Sequence, residues 1–191
     1  SAIIIEPTTG KVIFEKNSNE RLEPASMTKI MTLLLTFEAI DNGKISLDDT
    51  VTISKRAADM GGSQMFLEAG SNIRLEEIIK GVSIASANDG AIALAEFVGG
   101  SVENFVDMMN KKAEDLGLSN THFVNPHGLH ADNHYSSAYD MAIMASNLIN
   151  HEKILNYTSI YEDYFNKPDG SRTWLVNTNK VVYKFYNNRL L

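Results

Sequence analysis

The chain contains no cysteine among its 191 residues. This absence excludes disulfide bonds, thiolate nucleophiles and thiolate ligands for a metal ion. It fits an extracytoplasmic bacterial protein. Any covalent catalysis must therefore use an oxygen or nitrogen nucleophile, and any stability must come from packing and hydrogen bonds rather than covalent cross-links.

Basic residues and long apolar runs are also scarce. Lysine and arginine number 17 against 24 acidic residues, which gives a formal net charge of -7. This charge argues against nucleic acid or an anionic membrane surface as the main partner. The most apolar segment, residues 30–40, is too short to span a bilayer and contains Thr32, Thr36 and Glu38.

The composition is that of an ordinary globular protein, with 43% hydrophobic and 21% charged residues. A chain of this length predicts one domain, or one domain with a lobe. It begins Ser-Ala-Ile, without an initiator methionine and without the charged and apolar regions of a signal peptide. We therefore expect a mature protein or an excised fragment.

A hydroxyl and an amine stand three residues apart at the start of the apolar segment. Pro24 lies where a helix would begin, so that helix would place Ser26 and Lys29 on one face. A serine hydroxyl is a weak nucleophile until a base takes its proton, and lysine is a base only when neutral. Burial would lower the pKa of Lys29, and the helix N-terminus would favour negative charge on Ser26.

Two interpretations of this pair stay open on the local pattern. The first is a nucleophile beside its base. In the second, Ser26 is an ordinary first-turn serine and Lys29 extends its charge to water from the rim of a buried helix. A Ser-x-x-Lys pattern is expected roughly once by chance in a chain of this length, so the pattern alone does not decide.

Periodicity and turn residues predict the other elements. Runs of β-branched residues around a Pro/Gly turn predict a hairpin of residues 2–5 and 11–14. A helix carrying Ser26 is expected to stop at Asn42-Gly43. Apolar spacing predicts further helices at residues 75–85, 91–98, 102–116 and 138 to about 150, a helical turn at 55–60, and extended segments at 51–53, 173–176 and 181–183. Ser101 is expected to cap the third of these helices, and Ser136 or Ser137 the fourth.

A polar turn, Ser-Ala-Asn-Asp-Gly at residues 86–90, separates two apolar helices and is a second chemical candidate. A tight connection of this kind can direct a hydroxyl and an amide into a cleft. The simpler alternative is capping, in which Asn88 or Asp89 caps the following helix and Ser86 has no role. Both interpretations remain open at this point.

Four of the five histidines fall within thirteen positions: His122, His127, His130 and His134. Their spacing matches no metal-binding motif, and Pro126 and a following glycine would break any helix through them. We therefore interpret them as ordinary loop histidines and predict no metal site.

The Ser-x-x-Lys and Ser-x-Asn patterns are more informative together than separately. The stretches at residues 26–29 and 86–88 are the only Ser-x-x-Lys and the only Ser-x-Asn of the chain, in that order and about sixty positions apart. This pairing resembles the penicillin-binding protein and serine β-lactamase superfamily. Five stretches resemble the low-molecular-weight D-alanyl-D-alanine carboxypeptidases: residues 21–29, 61–65, 86–89, 125–129 and 134–140. The similarity therefore covers essentially the whole chain.

The resemblance implies a mixed α/β (α+β) fold, a three-layer sandwich of helices on an antiparallel sheet with an all-α lobe. It implies one catalytic domain over residues 1–191, with sheet parts at 1–25 and about 155–191 and a mainly helical part at about 26–154. The family domain has a helix before its first strand and several strands plus a helix beyond Leu191. We therefore expect a domain incomplete at both ends, whose exposed sheet edges self-association would cover.

The resemblance also implies an activity, the removal of the terminal D-alanine from peptidoglycan stem peptides outside the cytoplasmic membrane. Ser26 would attack the D-Ala-D-Ala carbonyl and form an acyl-enzyme, and its backbone N–H would supply half of an oxyanion hole. Lys29 would take the serine proton, Ser86 would relay a proton to the leaving amine, and Asn88 would hold Lys29 and the substrate amide. β-Lactam antibiotics would acylate the same serine, and no cofactor is implied.

One family motif is absent from these 191 residues. Lys-Thr-Gly, on a strand that supplies the second oxyanion N–H and binds the substrate carboxylate, has no counterpart, because Lys180 precedes Val181 and Lys184 precedes Phe185. This departure leaves open a penicillin-binding module without turnover. A β-lactamase shares the first two motifs, but the loops after residue 120 resemble the carboxypeptidases. Any membrane anchor is expected beyond the last residue.

Overall fold

A computed structural model describes residues 1–182 of the chain. Helices predominate, and short two-stranded sheets lie at their periphery. In chain order the elements are β1 (Ala2–Ile5), β2 (Val12–Lys16), a 3-10 turn (Ala25–Thr28), α1 (Lys29–Asp41), β3 (Thr50–Thr52), α2 (Lys55–Ala58), β4 (Asn72–Arg74), α3 (Leu75–Ala85), α4 (Asn88–Gly99), α5 (Val102–Asp115), α6 (Ala138–Ile149), α7 (Lys153–Thr158), β5 (Glu162–Asn166) and β6 (Arg172–Val176).

Helix α1 lies at the centre of the described chain. It is apolar nearly all round, and Met31, Leu34 and Phe37 are fully buried. A helix with this pattern requires neighbours on every side. Helices α4, α5 and α6 contact α1, and α3 packs on the far side of α4. The N-terminal end of α1, where the serine and lysine stand, is thereby held in place by the core.

Three two-stranded antiparallel sheets complete the described residues, with β1 paired to β2, β3 to β4 and β5 to β6; helix α2 lies between β3 and β4 in the chain. The predicted first hairpin is confirmed, and its register places Ile4 opposite Phe14. The β5–β6 hairpin contains the predicted extended segment 173–176 and packs on α3. The division of the chain into sheet parts and a helical part stays a prediction.

The helix ends follow the predicted capping residues. The Ser101 side chain accepts a hydrogen bond from the Asn104 backbone N–H at the start of α5. Of the two candidate caps for α6, the residue used is Ser137, which accepts from the Asp140 N–H. Helix α1 ends where expected, with Gly43 in the left-handed region at a φ of 67°.

Some segments differ from the sequence-based prediction. The helix carrying the serine does not begin as an α-helix, because a 3-10 turn precedes α1. Strand β4 and helix α7 were not predicted; α7 buries Ile154 and Tyr157 against the core, a tertiary contact that local composition does not indicate. The extended conformation predicted at 181–183 is wrong for Val181 and Val182, which are helical, and the last residue of that segment lies outside the described residues.

None of the helices within residues 1–182 has the combination of length and apolar composition that crossing a membrane demands.

Candidate active site

The serine stands on a strained turn. Pro24, the residue before the 3-10 turn, has a φ of -76°, and Ala25 follows with a φ of +48°, which is uncommon for a residue other than glycine. Such conformations persist where surrounding contacts enforce them, frequently at functional sites. The turn leaves Ser26 exposed while the following Thr28 and Lys29 are buried. The hydroxyl is therefore presented to solvent at the end of a rigid helix.

The lysine amine lies against this hydroxyl. Lys29 begins α1 and is only 3% exposed. Its Nζ lies 3.3 Å from Ser26 Oγ and donates a hydrogen bond of 2.8 Å to the backbone oxygen of His127. Burial lowers the pKa of Lys29 to about 8, and the carboxylate of Asp89 partly opposes that shift. A larger fraction of this amine is therefore neutral near pH 7 than for an exposed lysine.

A loop of residues 125–129 covers the lysine and holds the turn. Thr32, on α1, donates through Oγ1 to the oxygen of Pro126 at 2.7 Å. The side-chain oxygen of Asn125 accepts from the backbone N–H of Gly128 at 2.6 Å. At Gly128, where φ is +88°, a Cβ would overlap the carbonyl group of Ala25 and lie 2.9 Å from Thr28 Oγ1. Glycine is required here by both conformation and space.

The junction of α3 and α4 carries the second motif. Ser86 ends α3 in the left-handed region, with a φ of +56°, and Ala87 precedes α4 without a side-chain cap. The capping interpretation is wrong for the N-cap position, which is Ala87 rather than Asn88 or Asp89. Asp89 lies in the first turn of α4, where its Oδ1 accepts a hydrogen bond of 2.9 Å from the Gly90 backbone N–H. Asn88 binds the loop of residues 61–63 through two hydrogen bonds. Its backbone N–H donates to Ser63 O at 2.7 Å, and its Nδ2 donates to Gly61 O at 2.8 Å.

The two motifs converge on one region of the surface. At Gly62 a Cβ would lie 2.7 Å from Asn88 Nδ2 and 3.9 Å from the side chain of Leu129. Leu129 belongs to the loop that covers Lys29. The loop of residues 61–63, here called the glycine loop, therefore brings the start of α4 next to the loop of residues 125–129, which contacts the Ser26 turn.

Asp89 is a component of the site that sequence reasoning missed. It is 1% exposed, and its two carboxylate oxygens accept from the backbone N–H groups of Met65 at 3.1 Å and Leu67 at 3.0 Å. It thus fixes the segment that follows the glycine loop and places a negative charge near Lys29. The available signal was a lone acidic residue at the start of an otherwise apolar helix, which is rarely buried without partners.

The four predicted site residues are placed in two pairs. Ser26 and Lys29 are in direct contact, whereas Ser86 and Asn88 lie together at the α3–α4 junction. Within residues 1–182, no hydrogen bond joins Lys29 to either member of the second pair, and none reaches the Ser86 hydroxyl. The Ser86 hydroxyl is thus unengaged by the described part of the chain.

The histidines do not gather around a metal. Across residues 1–182, no three metal-ligating side chains form a cluster. His127 and His134 are nevertheless buried, at 9% and 4% exposure, and both belong to the site's framework. Burial, followed by the charge of Lys29, lowers the pKa of His127 to about 4. Burial likewise lowers the pKa of His134.

Comparison with known proteins places the chain in a family. Residues 1–190 match the model of the D-alanyl-D-alanine carboxypeptidase family. The chain is 58% identical over 186 residues to the D-alanyl-D-alanine carboxypeptidase DacF of Bacillus subtilis, covering 97% of this chain and 48% of that protein. It is 44% identical over 153 residues to DacC of Escherichia coli, covering 77% and 38%. The chain therefore spans about half the length, or less, of these curated relatives.

Solved structures agree with the fold. Penicillin-binding protein 5 of Haemophilus influenzae aligns with a TM-score of 0.89 at 34% identity, over 96% of this chain and 53% of that one. Penicillin-binding protein 6B of Escherichia coli aligns with a TM-score of 0.88 at 33% identity, over 95% and 58%. These likenesses confirm the predicted mixed α+β class of the penicillin-binding and β-lactamase type.

Proposed function

The chain belongs to the D-alanyl-D-alanine carboxypeptidase family, and from this premise we propose that it supplies the acylation centre of a serine D-Ala-D-Ala carboxypeptidase. The proposed reaction removes the terminal D-alanine from peptidoglycan stem peptides through an acyl-enzyme on Ser26. β-Lactam antibiotics are proposed to acylate the same oxygen. No metal or other cofactor takes part in this scheme.

The contact between Ser26 and Lys29 is the observation that carries the proposal. Oγ and Nζ are 3.3 Å apart, close to hydrogen-bond length, and the hydroxyl is exposed to an incoming carbonyl. With the pKa of Lys29 lowered to about 8, roughly one molecule in ten has a neutral amine at pH 7. A surface lysine would be neutral far less often.

The first step transfers one proton and forms one bond. Ser26 Oγ attacks the carbonyl carbon of the penultimate D-alanine while its proton passes to the lone pair of the neutral Lys29 amine. One N–H of that amine keeps its hydrogen bond to the His127 oxygen, which directs the lone pair. The 13-residue helix α1 begins at Lys29, after the 3-10 turn that contains Ser26, and its N-terminal dipole favours the negative charge that develops.

The second step breaks the peptide bond. We assign the delivery of a proton to the departing amine of the terminal D-alanine to Ser86, whose hydroxyl is free of partners within residues 1–182. Ser86 then takes a proton back from the protonated Lys29, whose amine becomes neutral again. Asn88 is proposed to contact the substrate amide through its side-chain oxygen, since its Nδ2 is engaged by Gly61. Water then hydrolyses the ester on Ser26 and restores the serine and the lysine amine.

The oxyanion of the tetrahedral intermediate requires N–H donors. In the described part of the chain no acceptor engages the backbone N–H of Ser26, which leaves this donor for the substrate oxygen. A donor of this type typically contributes about 3 kcal/mol of transition-state stabilisation. The Lys-Thr-Gly motif, which the family resemblance associates with the second donor, does not occur in the 191 residues.

The proposed substrate sets the proposed location. Stem peptides ending in D-Ala-D-Ala lie outside the cytoplasmic membrane, so we propose an extracytoplasmic protein of the bacterial cell envelope that acts in peptidoglycan maturation. Attachment to the membrane through a C-terminal segment and self-association of the chain both remain predictions.

Intact mass measurement after incubation with excess benzylpenicillin tests the acylation centre. One adduct on the parent protein, absent from Ser26→Ala, is the expected result. No adduct on folded parent protein contradicts the proposal. Release of D-alanine from a peptide ending in D-Ala-D-Ala, with the L-Ala-L-Ala peptide as control, tests turnover separately. An adduct without release would identify a penicillin-binding module that acylates but does not turn over.

A further inference from the structure

His134 connects the two sides of the proposed site through both ring nitrogens. Its Nδ1 accepts a hydrogen bond of 3.0 Å from the backbone N–H of Val124, the residue that leads into the loop covering Lys29. Its Nε2 lies 2.8 Å from Oγ1 of Thr28. The ring is buried, and Phe123 packs edge-on against it with ring centres 5.9 Å apart.

These contacts define which nitrogen carries the proton. Because the N–H of Val124 can only donate, Nδ1 of His134 must accept, and the single proton of the neutral ring is on Nε2. That proton is donated to Thr28 Oγ1. A second proton, on Nδ1, would face the N–H of Val124 and break the first bond. The bridge therefore exists only while the ring is neutral and in this tautomer.

The residues joined by the bridge are those next to the reacting groups. Thr28 lies between Ser26 and Lys29 and is fully buried. The loop that follows Val124 supplies the oxygen of His127 that accepts from Lys29. The ring thus spans the lysine's own turn and the loop carrying the lysine's hydrogen-bond acceptor.

We propose that His134 is a positioning residue for acylation, which holds the loop of residues 124–129 against the Ser26 turn. In this position His127 O shields the Lys29 amine from water and orients it towards Ser26. This inference rests on the proposed function of the Ser26 and Lys29 pair. It assigns His134 no contact with substrate.

Charged and titratable groups face both ends of this bridge. Beyond burial, the charge of His122 lowers the pKa of His134 and that of Glu23 raises it, and His134 in turn contributes to lowering the pKa of His127. The carboxylate of Asp89, on α4, raises the pKa of Lys29. Burial is the largest cause of the lowered pKa of both Lys29 and His134, so a loosened loop that admits water raises the pKa of Lys29 towards its ordinary value.

Substitution at Thr28 tests the bridge with a matched pair. Thr28→Val removes the hydroxyl with little change of volume, and Thr28→Ser keeps it. For Thr28→Val we expect the rate of benzylpenicillin acylation to fall roughly tenfold, as for the loss of one buried hydrogen bond. We also expect the pH of half-maximal acylation to move above 8. For Thr28→Ser we expect both quantities to remain near the parent values.

His134→Asn separates the two halves of the bridge. Asparagine keeps an acceptor near the Nδ1 position for Val124 but does not reach Thr28, so it should reproduce the Thr28→Val phenotype without further loss. Thermal melting of every variant identifies any that fail to fold. A shift in the pH midpoint is a result that general destabilisation does not produce.

The outcomes separate this inference from the proposed function. If the folded parent forms no adduct, the proposed function fails. If the parent reacts but folded Thr28→Val matches it in rate and pH midpoint, the positioning role is wrong. Nitrogen-15 NMR of Ser26→Ala should show a proton on His134 Nε2 and none on Nδ1, and the opposite tautomer would overturn the inference without any measurement of activity.

Discussion

The amine of Lys29 donates a hydrogen bond of 2.8 Å to the backbone oxygen of His127, which lies 98 positions further along the chain. The same amine lies 3.3 Å from Ser26 Oγ, so it contacts both the carbonyl and the hydroxyl. A lysine held in this way is both desolvated and oriented.

The rate of acylation should follow the neutral fraction of Lys29. Because burial lowers the pKa of this amine to about 8, the rate with benzylpenicillin should rise about tenfold per pH unit up to that pH and then level off. Stopped-flow or quenched mass measurements between pH 6 and 9.5 check this. A rate that does not vary over this range would exclude Lys29 as the base.

The Gly128→Ala variant should be impaired in both stability and acylation. The new methyl group would overlap the carbonyl of Ala25 in the turn that presents the serine, and alanine is disfavoured at a φ of +88°. We expect a loss of roughly 2 to 5 kcal/mol of unfolding free energy. Denaturant titration and the acylation rate measure the two effects.

Gly170→Ala is the matched control for that substitution. Gly170 has almost the same φ, +87°, but no atom lies within 4 Å of its Cβ position. It should lose only about 1 to 2 kcal/mol, the conformational cost, and keep the parent's acylation rate. Equal losses in the two variants would show that contact with the Ser26 turn is unimportant.

Removing the charge of Asp89 should alter both the loop and the lysine. Its carboxylate accepts backbone hydrogen bonds from Met65 and Leu67 in a buried setting, so Asp89→Asn should lower the unfolding free energy by roughly 2 to 4 kcal/mol. Since Asp89 raises the pKa of Lys29, the midpoint of the acylation profile should also move below pH 8.

The control for this charge is Asp59→Asn, at an exposed carboxylate paired with Lys55. Surface pairs of this kind contribute about 1 kcal/mol or less. Neither stability nor the acylation midpoint should change appreciably. A midpoint that stays at the parent value in folded Asp89→Asn would contradict the electrostatic link to Lys29.

Mild acid should destabilise the protein before its carboxylates titrate. Burial lowers the pKa of His127 from 6.5 to about 4, so the folded state binds fewer protons than the unfolded state between these values. Stability is therefore complete above pH 6.5 and decreases as the pH falls towards 4, with His134 contributing in the same direction. Urea titrations at pH 7, 6 and 5 should show this loss, and His127→Gln should reduce it. A constant unfolding free energy over that range would contradict the burial argument.

Much of the local structure could be predicted from sequence because its causes are local. The apolar spacing of α3 marked its limits, and Ser101 and Ser137 cap the helices that they precede. Helix α7 and the helical conformation at Val181 could not be anticipated in this way. Six residues of α7 are too few to form a helix alone, and their conformation depends on packing of Ile154 and Tyr157.

The candidate site likewise has a part with local causes and a part that depends on tertiary packing. Its proposed nucleophile and base, Ser26 and Lys29, are three residues apart, so their proximity is a property of one helical turn. The chemistry was indicated only when this pattern was combined with the second motif at residues 86–88. The surroundings of Lys29 come from elsewhere in the chain, namely the oxygen of His127, the charge of Asp89 and the contacts of His134 with Thr28 and Val124. Burial and long-range hydrogen bonds depend on which distant segments pack together, so only the tertiary structure decided them.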